Sequence, residues 1–188
     1  MLVEYGLVRA SASDGAEFTF RPSFARIASL GSPHEIVALY AALHGPAAAQ
    51  EATYVLACLC DQEDPTPLIG WRDEAGWHAG EMPEGEKVII ARHLMQHVIC
   101  GKARPEGSAG AAAGQFSDRF DASEYIAAAR VHLGLSSADA EALSMTEFQT
   151  MLAMKFPDNA AAGTKARNVP TREQYDAAMA KMKERGGV

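Results

Sequence analysis

The alternation of apolar and polar residues near the start of the chain predicts a β-hairpin. Residues 2–10 and 16–22 are short runs of β-favouring side chains, and Asp14-Gly15 stands between them. An Asp-Gly pair between two such runs is the strongest short hairpin signal, because tight hairpin turns require positive φ angles. A two-stranded hairpin is marginally stable alone. We therefore expect it to pack on the helices behind it.

After the hairpin, apolar residues recur every three to four positions, which predicts helices. In the stretch SPHEIVALYAALHG (residues 32–45), Ser32 and Glu35 have the spacing of a capping box. Pro33 suits the first helical position, and Gly45 is typical of a helix end. The other helices are predicted from Pro22 to Leu30, from Pro46 to Cys60, from Met82 or Pro83 to Gly101, after Asp121, after Ser136, and from Ser144 or Thr146 to Pro157.

These elements predict a mainly α fold with an N-terminal β-hairpin, of the α+β class. Between the predicted helices, residues 102–117 are dominated by Gly, Ala and Ser, which is typical of a flexible linker. The predicted organisation is a hairpin with a helical body at 1–101, that linker, a small helical bundle at 118–157, and a tethered tail at 158–188. The tail contains one amphipathic helix with its apolar residues at i, i+4 and i+7, namely Tyr175, Met179 and Met182.

Charge and composition exclude several classes of function. The chain has 188 residues, 17 basic and 24 acidic, with a net charge of -7. Because nucleic-acid and membrane surfaces recruit clustered Lys and Arg, we expect neither as a partner. We expect no signal peptide and no membrane span, since the N-terminus lacks the pattern and no apolar run reaches about 20 residues. Three cysteines, an odd number, indicate a reducing cytoplasm.

The most suggestive chemical cluster is His93, His97 and Cys100, which share one helical face. A His pair at i, i+4 is a common zinc geometry. However, Cys58 and Cys60 are separated by one residue, which turns the two side chains about 200° apart on a helix. A helix C-terminus also raises the pKa of a thiol. We therefore favour structural roles for these residues and expect no catalytic group, metal or cofactor.

The candidate partner-binding residues are aromatic and sulfur-containing. Trp71 and Trp77 lie in a predicted loop, where they are either exposed anchors for a partner or lids over the helical core. The Tyr175, Met179 and Met182 stripe belongs to an amphipathic helix on a tether, a standard element for binding a groove. Packing of that helix on its own body is an equal alternative.

Four segments carry a resemblance to a known group of proteins. They are FTFRPSFARIASLGSPHEIVALYAALHG, VLACLCDQEDPTPLIGW, MPEGEKVIIARHLMQHVICG and FDASEYIAAARVHLGLSSADAEALSMTEFQTMLAMKFP. Together they resemble an uncharacterised family coded in the tail modules of tailed bacteriophages and prophages. The last segment is also similar to phage tail assembly chaperones, in which a helix is followed by a turn of the LGLS…LSMTEFQ kind. Ala142-Leu143 and Glu147 depart from that pattern, which usually has Trp and Pro there.

The resemblance implies a non-enzymatic chaperone in the host bacterial cytoplasm. It would bind the tape-measure protein, the tail-tube subunits or both before the tail polymerises, and a homo-oligomer is left open. The runner-up is a structural virion component, such as a tail-completion or head–tail connector protein. The third possibility is a zinc-stabilised interaction domain or a small metalloenzyme. The predicted partner contacts are Trp71, Trp77, Phe148, Met151, Tyr175, Met179 and Met182.

Overall fold

The computed structural model describes residues 6–101 and 118–157. These residues confirm the predicted fold class, being mainly helical with an N-terminal β-hairpin. None of the helices in the two stretches is long and apolar enough to cross a bilayer. The elements in chain order are β1 (Val8–Ser11), β2 (Glu17–Phe20), α1 (Phe24–Ala28), α2 (Pro33–Ala42), α3 (Ala48–Leu59), α4 (Thr66–Ile69), β3 (Trp71–Asp73), β4 (Gly76–His78), α5 (Glu84–Met95), a π-helical turn (Gln96–Cys100), α6 (Ala122–Ala128), a second π-helical turn (Ala129–Leu133), α7 (Ser137–Ala142) and α8 (Met145–Lys155).

The predicted N-terminal hairpin is confirmed. Strands β1 and β2 pair antiparallel, with Gly15 at positive φ in the turn between them. The hairpin is fastened to the end of α3, where Phe20 pairs with Cys60 and the Arg21 N–H donates to the Leu59 carbonyl at 2.8 Å. The Phe20 side chain is fully buried. The hairpin is therefore stabilised by packing on the helices, as its short length requires.

The helix starts lie where the sequence places them. The Ser32 N–H donates to the Glu35 carboxylate at 2.7 Å at the start of α2. Helix α8 begins after Ser144, where the Glu147 N–H donates to the Ser144 hydroxyl and the Ser144 N–H donates back to the Glu147 carboxylate. At the start of α7, the Asp139 N–H donates to the hydroxyl of the capping residue Ser136. Local side-chain chemistry thus determines these boundaries.

Phe24 connects the N-terminal half of the chain to the C-terminal half. Its fully buried ring stacks on Tyr125 with centroids 5.7 Å apart, and the rings of Phe120 and Phe148 lie 6.5 and 6.1 Å away. The Phe24 N–H also donates to the Leu143 carbonyl at 2.8 Å. The bundle predicted at 118–157 therefore shares its hydrophobic core with the helices of the first half. The linker predicted at 102–117 lies outside the described residues.

The predicted apolar stripe of α5 is confirmed in its second half and wrong at its start. The sequence predicts Val88, Ile89, Leu94 (or Met95) and Val98 as the apolar positions, and Leu94, Met95 and Val98 are fully buried. However, the Ile89 side chain is 68% exposed and Val88 is only partly buried. The first turns of α5 instead bury Lys87, Ile90 and Ala91, which share one helical face with Leu94. The start of the stripe was missed because it begins with a lysine.

A second hairpin was also missed. Residues 61–85 are predicted as a turn-rich connection to the next helix. They contain α4 and the antiparallel pair β3–β4, with Trp71 opposite His78. Each strand has three residues, which is too short to show an alternating pattern in the sequence. This hairpin carries both tryptophans of the chain.

Candidate docking groove

Three exposed aromatic side chains surround one depression on the surface. Trp71 on β3 is 43% exposed, Trp77 on β4 is 44% exposed, and Tyr54 on α3 is 46% exposed. The depression between them has a volume of about 600 Å³. Large side chains with this much exposed apolar area on one surface mark an interaction site more often than an ordinary surface does. We call this depression the docking groove.

The floor of the docking groove is the outer face of α3. Ala49, Thr53 and Ala57 line it at four-residue intervals, with Gln50 and Pro46 beside them. Residues at this spacing share one face of a helix. Because these side chains are small or end in a short polar group, the floor lies below the aromatic walls.

The Trp71 wall is held by contacts within its own hairpin. The Trp71 ring stacks on the His78 ring with centroids 3.9 Å apart. His78 Nε2 lies 3.1 Å from a carboxylate oxygen of Asp73, and the other carboxylate oxygen accepts the N–H groups of Ala75 and Gly76 in the turn. The indole is therefore positioned by the hairpin and leaves its outer face open to solvent.

The Trp77 wall covers a buried lysine. The Lys87 side chain is 2% exposed, and its Nζ donates to the Ile69 carbonyl at 3.1 Å and lies 4.8 Å from the centre of the Trp77 ring. Burial lowers the pKa of Lys87, and the nearby Glu84 carboxylate opposes that shift. An ammonium over an indole face is an attractive arrangement. Lys87 thus joins the end of α4, the hairpin and α5 at one point.

Sequence reasoning missed Lys87 as a residue of the site. Its position at i-3 from Ile90 and i-7 from Leu94 is a signal that could have found it, because it continues the apolar stripe of α5. A lysine in such a stripe is rarely buried unless the fold supplies partners for its ammonium. Those partners come from residues 18 and 10 positions earlier in the chain, Ile69 and Trp77.

Two glycines let the hairpin close on α4. Gly70 has a φ of 82°, and a Cβ there would lie 2.5 Å from the His78 carbonyl oxygen. A Cβ on Gly80 would overlap the backbone N of Gly70 and the carbonyl oxygen of Leu68. The two ends of the hairpin therefore approach more closely than any side chain allows.

We expect Gly80→Ala to destabilise the protein by about 1–3 kcal/mol, since the added methyl group meets backbone that cannot move aside. The matched control is Gly85→Ala, in the first turn of α5, where a Cβ has nothing within 4 Å. That control should stabilise by about 0.5–1 kcal/mol through its helix propensity. Urea unfolding of the two variants measures both effects. Equal stability of the two would contradict the close approach.

His93 lies near the end of α5, and His97 and Cys100 lie in the π-helical turn that follows it and contacts α8. The two imidazole centroids are 4.6 Å apart, and His97 Nδ1 lies 2.8 Å from the Thr146 hydroxyl. Cys100 is exposed, and its carbonyl accepts a hydrogen bond from the Gln149 amide at 3.3 Å. Within residues 6–101 and 118–157, no three His, Cys, Asp or Glu side chains are grouped as metal ligands. The arrangement joins two helices.

This contact predicts a pH dependence. Burial lowers the pKa of His93 and His97 from the ordinary value of 6.5, and the neighbouring His93 lowers the pKa of His97 further. The unfolded chain therefore takes up protons before the folded chain does. Stability is fully present above pH 6.5 and should fall as the pH drops below it.

The measurement is the free energy of unfolding from about pH 7 to about pH 5. The double variant His93→Gln/His97→Gln should lose part of the pH slope. His132→Gln, at an exposed position of the second π-helical turn, should keep the full slope. An unchanged slope in the double variant would show that the two imidazoles do not contribute.

The structure separates the predicted partner residues. Trp71 and Trp77 are brought together at the docking groove, as exposed side chains. Phe148 is a correction, because its side chain is only 6% exposed and packs against Phe24 and Tyr125 in the core. Met151 is partly buried on α8 and does not line the groove. The tail residues Tyr175, Met179 and Met182 lie outside the described residues.

Comparison with known proteins gives a family for the chain. No curated protein and no solved structure matched it. The model of a family of unknown function, DUF6246, matches residues 44–177. That range contains the described residues that line the docking groove, together with α5 to α8. The chain therefore belongs to the family of unknown function DUF6246.

Proposed function

We propose that this protein is a tail assembly chaperone-like morphogenesis factor of a tailed bacteriophage or prophage. It binds the tape-measure protein, tail-tube subunits or both in the bacterial cytoplasm and holds them until the tail polymerises. The docking groove is the observation that carries the proposal, because it places exposed aromatic side chains beside one face of α3. The resemblance of the sequence segments to phage tail proteins supplies the identity of the partner.

The shape of the groove favours a helical partner. Ala49, Thr53 and Ala57 form a low floor, and Trp71 and Trp77 rise along one side of it. An amphipathic helix lays its apolar face into such a groove, with its anchors at i, i+3 or i+4, and i+7. A long helical protein with exposed apolar faces aggregates unless those faces are covered before assembly. Covering them by reversible binding is a chaperone function, and it needs no bond-breaking chemistry.

The test is co-expression with the long coiled-coil protein encoded beside this chain. We expect a complex that co-purifies, together with a larger recoverable fraction of the coiled-coil protein than when it is expressed alone. The tail-tube subunit encoded nearby is tested in the same way. Failure of both to bind would contradict the proposal.

A second measurement separates the chaperone from a structural virion component. A chaperone leaves its partner on polymerisation, so mass spectrometry of purified phage particles should not detect this chain. Stoichiometric amounts in finished particles would instead identify it as a tail-completion or head–tail connector protein.

A further inference from the structure

We propose that in the free protein the docking groove is filled by the C-terminal segment of the same chain, residues 171–185, which an incoming partner must displace. This proposal concerns the isolated chain, and it stands whether or not the partner is a phage protein. It rests on the dimensions of the groove, the charges around it and the length of chain that follows α8.

The apolar residues of the segment match the groove in size. The groove floor carries Ala49 and Ala57, whose small side chains leave room for large side chains from above. The sequence predicts an amphipathic helix at residues 171–185, with large apolar residues on one face at i, i+4 and i+7: Tyr175, Met179 and Met182. Methionine adapts to irregular surfaces, and its sulfur makes favourable contacts with aromatic rings. Such rings are present in the two tryptophan walls.

The charges are also complementary. Residues 158–188 contain six Lys or Arg and four Asp or Glu, which is a net charge of +2. Because the whole chain has a net charge of -7, residues 1–157 carry a net charge of -9. Beside the groove, Glu84 lines one edge and the exposed Asp73 and Glu74 form the turn of the hairpin, while Arg72 is the one basic residue among the described residues that line it. The basic end of the segment, with Lys181, Lys183 and Arg185, therefore has acidic neighbours available. Because opposite charges attract, the acidic residues beside the groove favour this basic segment over an acidic segment.

The chain after α8 is long enough to reach the groove. Gln149 contacts Cys100 at the end of the π-helical turn, and α5 begins at the groove edge at Glu84. From Glu84 to Cys100 is about 25 Å along the helix axis, and from Gln149 to the end of α8 is about 10 Å. Residues 158–170 can span about 40 Å when extended. The segment can therefore reach its own groove without a second copy.

Tryptophan fluorescence reports on the solvent exposure of the groove walls, because Trp71 and Trp77 are the two tryptophans of the whole chain. The test variant is Met179→Asp/Met182→Asp in the full chain, which places two carboxylates on the apolar face. The matched control, Ala177→Asp/Ala180→Asp, places two carboxylates on the opposite face of the same predicted helix. We expect acrylamide quenching to be about twofold stronger in the test variant than in the wild type, because a docked helix covers most of the surface it contacts. The control should quench like the wild type.

Rescue by a peptide completes the experiment. A synthetic peptide of residues 171–185, added to the Met179→Asp/Met182→Asp protein, should restore the protection of the tryptophans. Equal quenching of the wild type and both variants would overturn the proposal. Protection in the wild type that increases with protein concentration would overturn the intramolecular placement, because it would show that the segment of a second copy fills the groove.

Partner binding distinguishes this proposal from a direct role of the segment. A tether of this length holds the segment at an effective concentration of about 1 mM. If the free peptide binds with a dissociation constant of about 100 µM, it occupies about nine-tenths of the grooves, and releasing it strengthens partner binding about tenfold. The Met179→Asp/Met182→Asp variant should therefore bind the coiled-coil protein more tightly. Weaker binding would mean that the stripe contacts the partner itself, and would overturn the displacement.

Discussion

Phe24→Ala should be strongly destabilising, lowering the free energy of unfolding by about 3–5 kcal/mol. The Phe24 side chain is fully buried, and three aromatic rings, those of Phe120, Tyr125 and Phe148, pack around it. Removing the ring leaves a cavity at the contact between α1 and the C-terminal helices. Since small and medium domains have a total stability of about 5–15 kcal/mol, this loss is a large fraction of the total and should move unfolding to a markedly lower urea concentration.

The control for that substitution is Phe156→Ala, which removes the same ring from a position that is 38% exposed. This substitution should lower the free energy of unfolding much less than Phe24→Ala does, because a substitution at the surface leaves no cavity.

Unfolding is followed by tryptophan fluorescence, which reports on the second hairpin, and by circular dichroism, which reports on all helices. If Phe24 joins both halves into one core, the two signals change at the same urea concentration. Two separate transitions, with only the second shifted by Phe24→Ala, would show that the halves fold independently.

Trp71→Ala and Trp77→Ala should each weaken binding of the coiled-coil partner by about 2 kcal/mol, or about 30-fold. Both indoles are more than two-fifths exposed and form the walls of the docking groove. Large aromatic side chains that become buried in an interface dominate its binding energy. Trp77→Ala also uncovers the ammonium of Lys87, which then hydrates and no longer contacts an aromatic face.

Ile89→Ala is the matched control for the two tryptophan variants. Its side chain is 68% exposed on α5 and does not line the groove. Isothermal titration of the partner protein should therefore give the same affinity for Ile89→Ala and the wild type. Loss of affinity in Ile89→Ala, or its retention in both tryptophan variants, would place the binding surface elsewhere.

Much of the fold could be predicted because its signals are local. The Asp14-Gly15 turn, the Ser32 and Glu35 capping box and the cap at Ser144 each depend on residues within a few positions of one another. Hydrogen bonds of this kind form in the same way wherever the segment lies in a protein. The element types and most of their starting residues followed from them.

The candidate site was predicted only in part. The sequence marked Trp71 and Trp77 as either anchors or lids, and it could not choose, because exposure depends on which elements pack nearby. Phe148 was predicted as a partner contact and lies in the core, where the rings of Phe24 and Tyr125 approach from distant parts of the chain. The sequence also carried no sign that Thr146 on α8 is the hydrogen-bond partner of His97, because the two residues are 49 positions apart.

By itself, the sequence determined the helical class, the first hairpin, the caps and the acidic charge of this protein. Only the tertiary structure decided that the two halves share one core, that Lys87 is buried under Trp77, and that two tryptophans and the face of α3 enclose a groove. The physical reason is the range of the interactions. Caps and turns depend on neighbours in the chain, whereas burial depends on side chains tens of residues away that meet only in the folded protein.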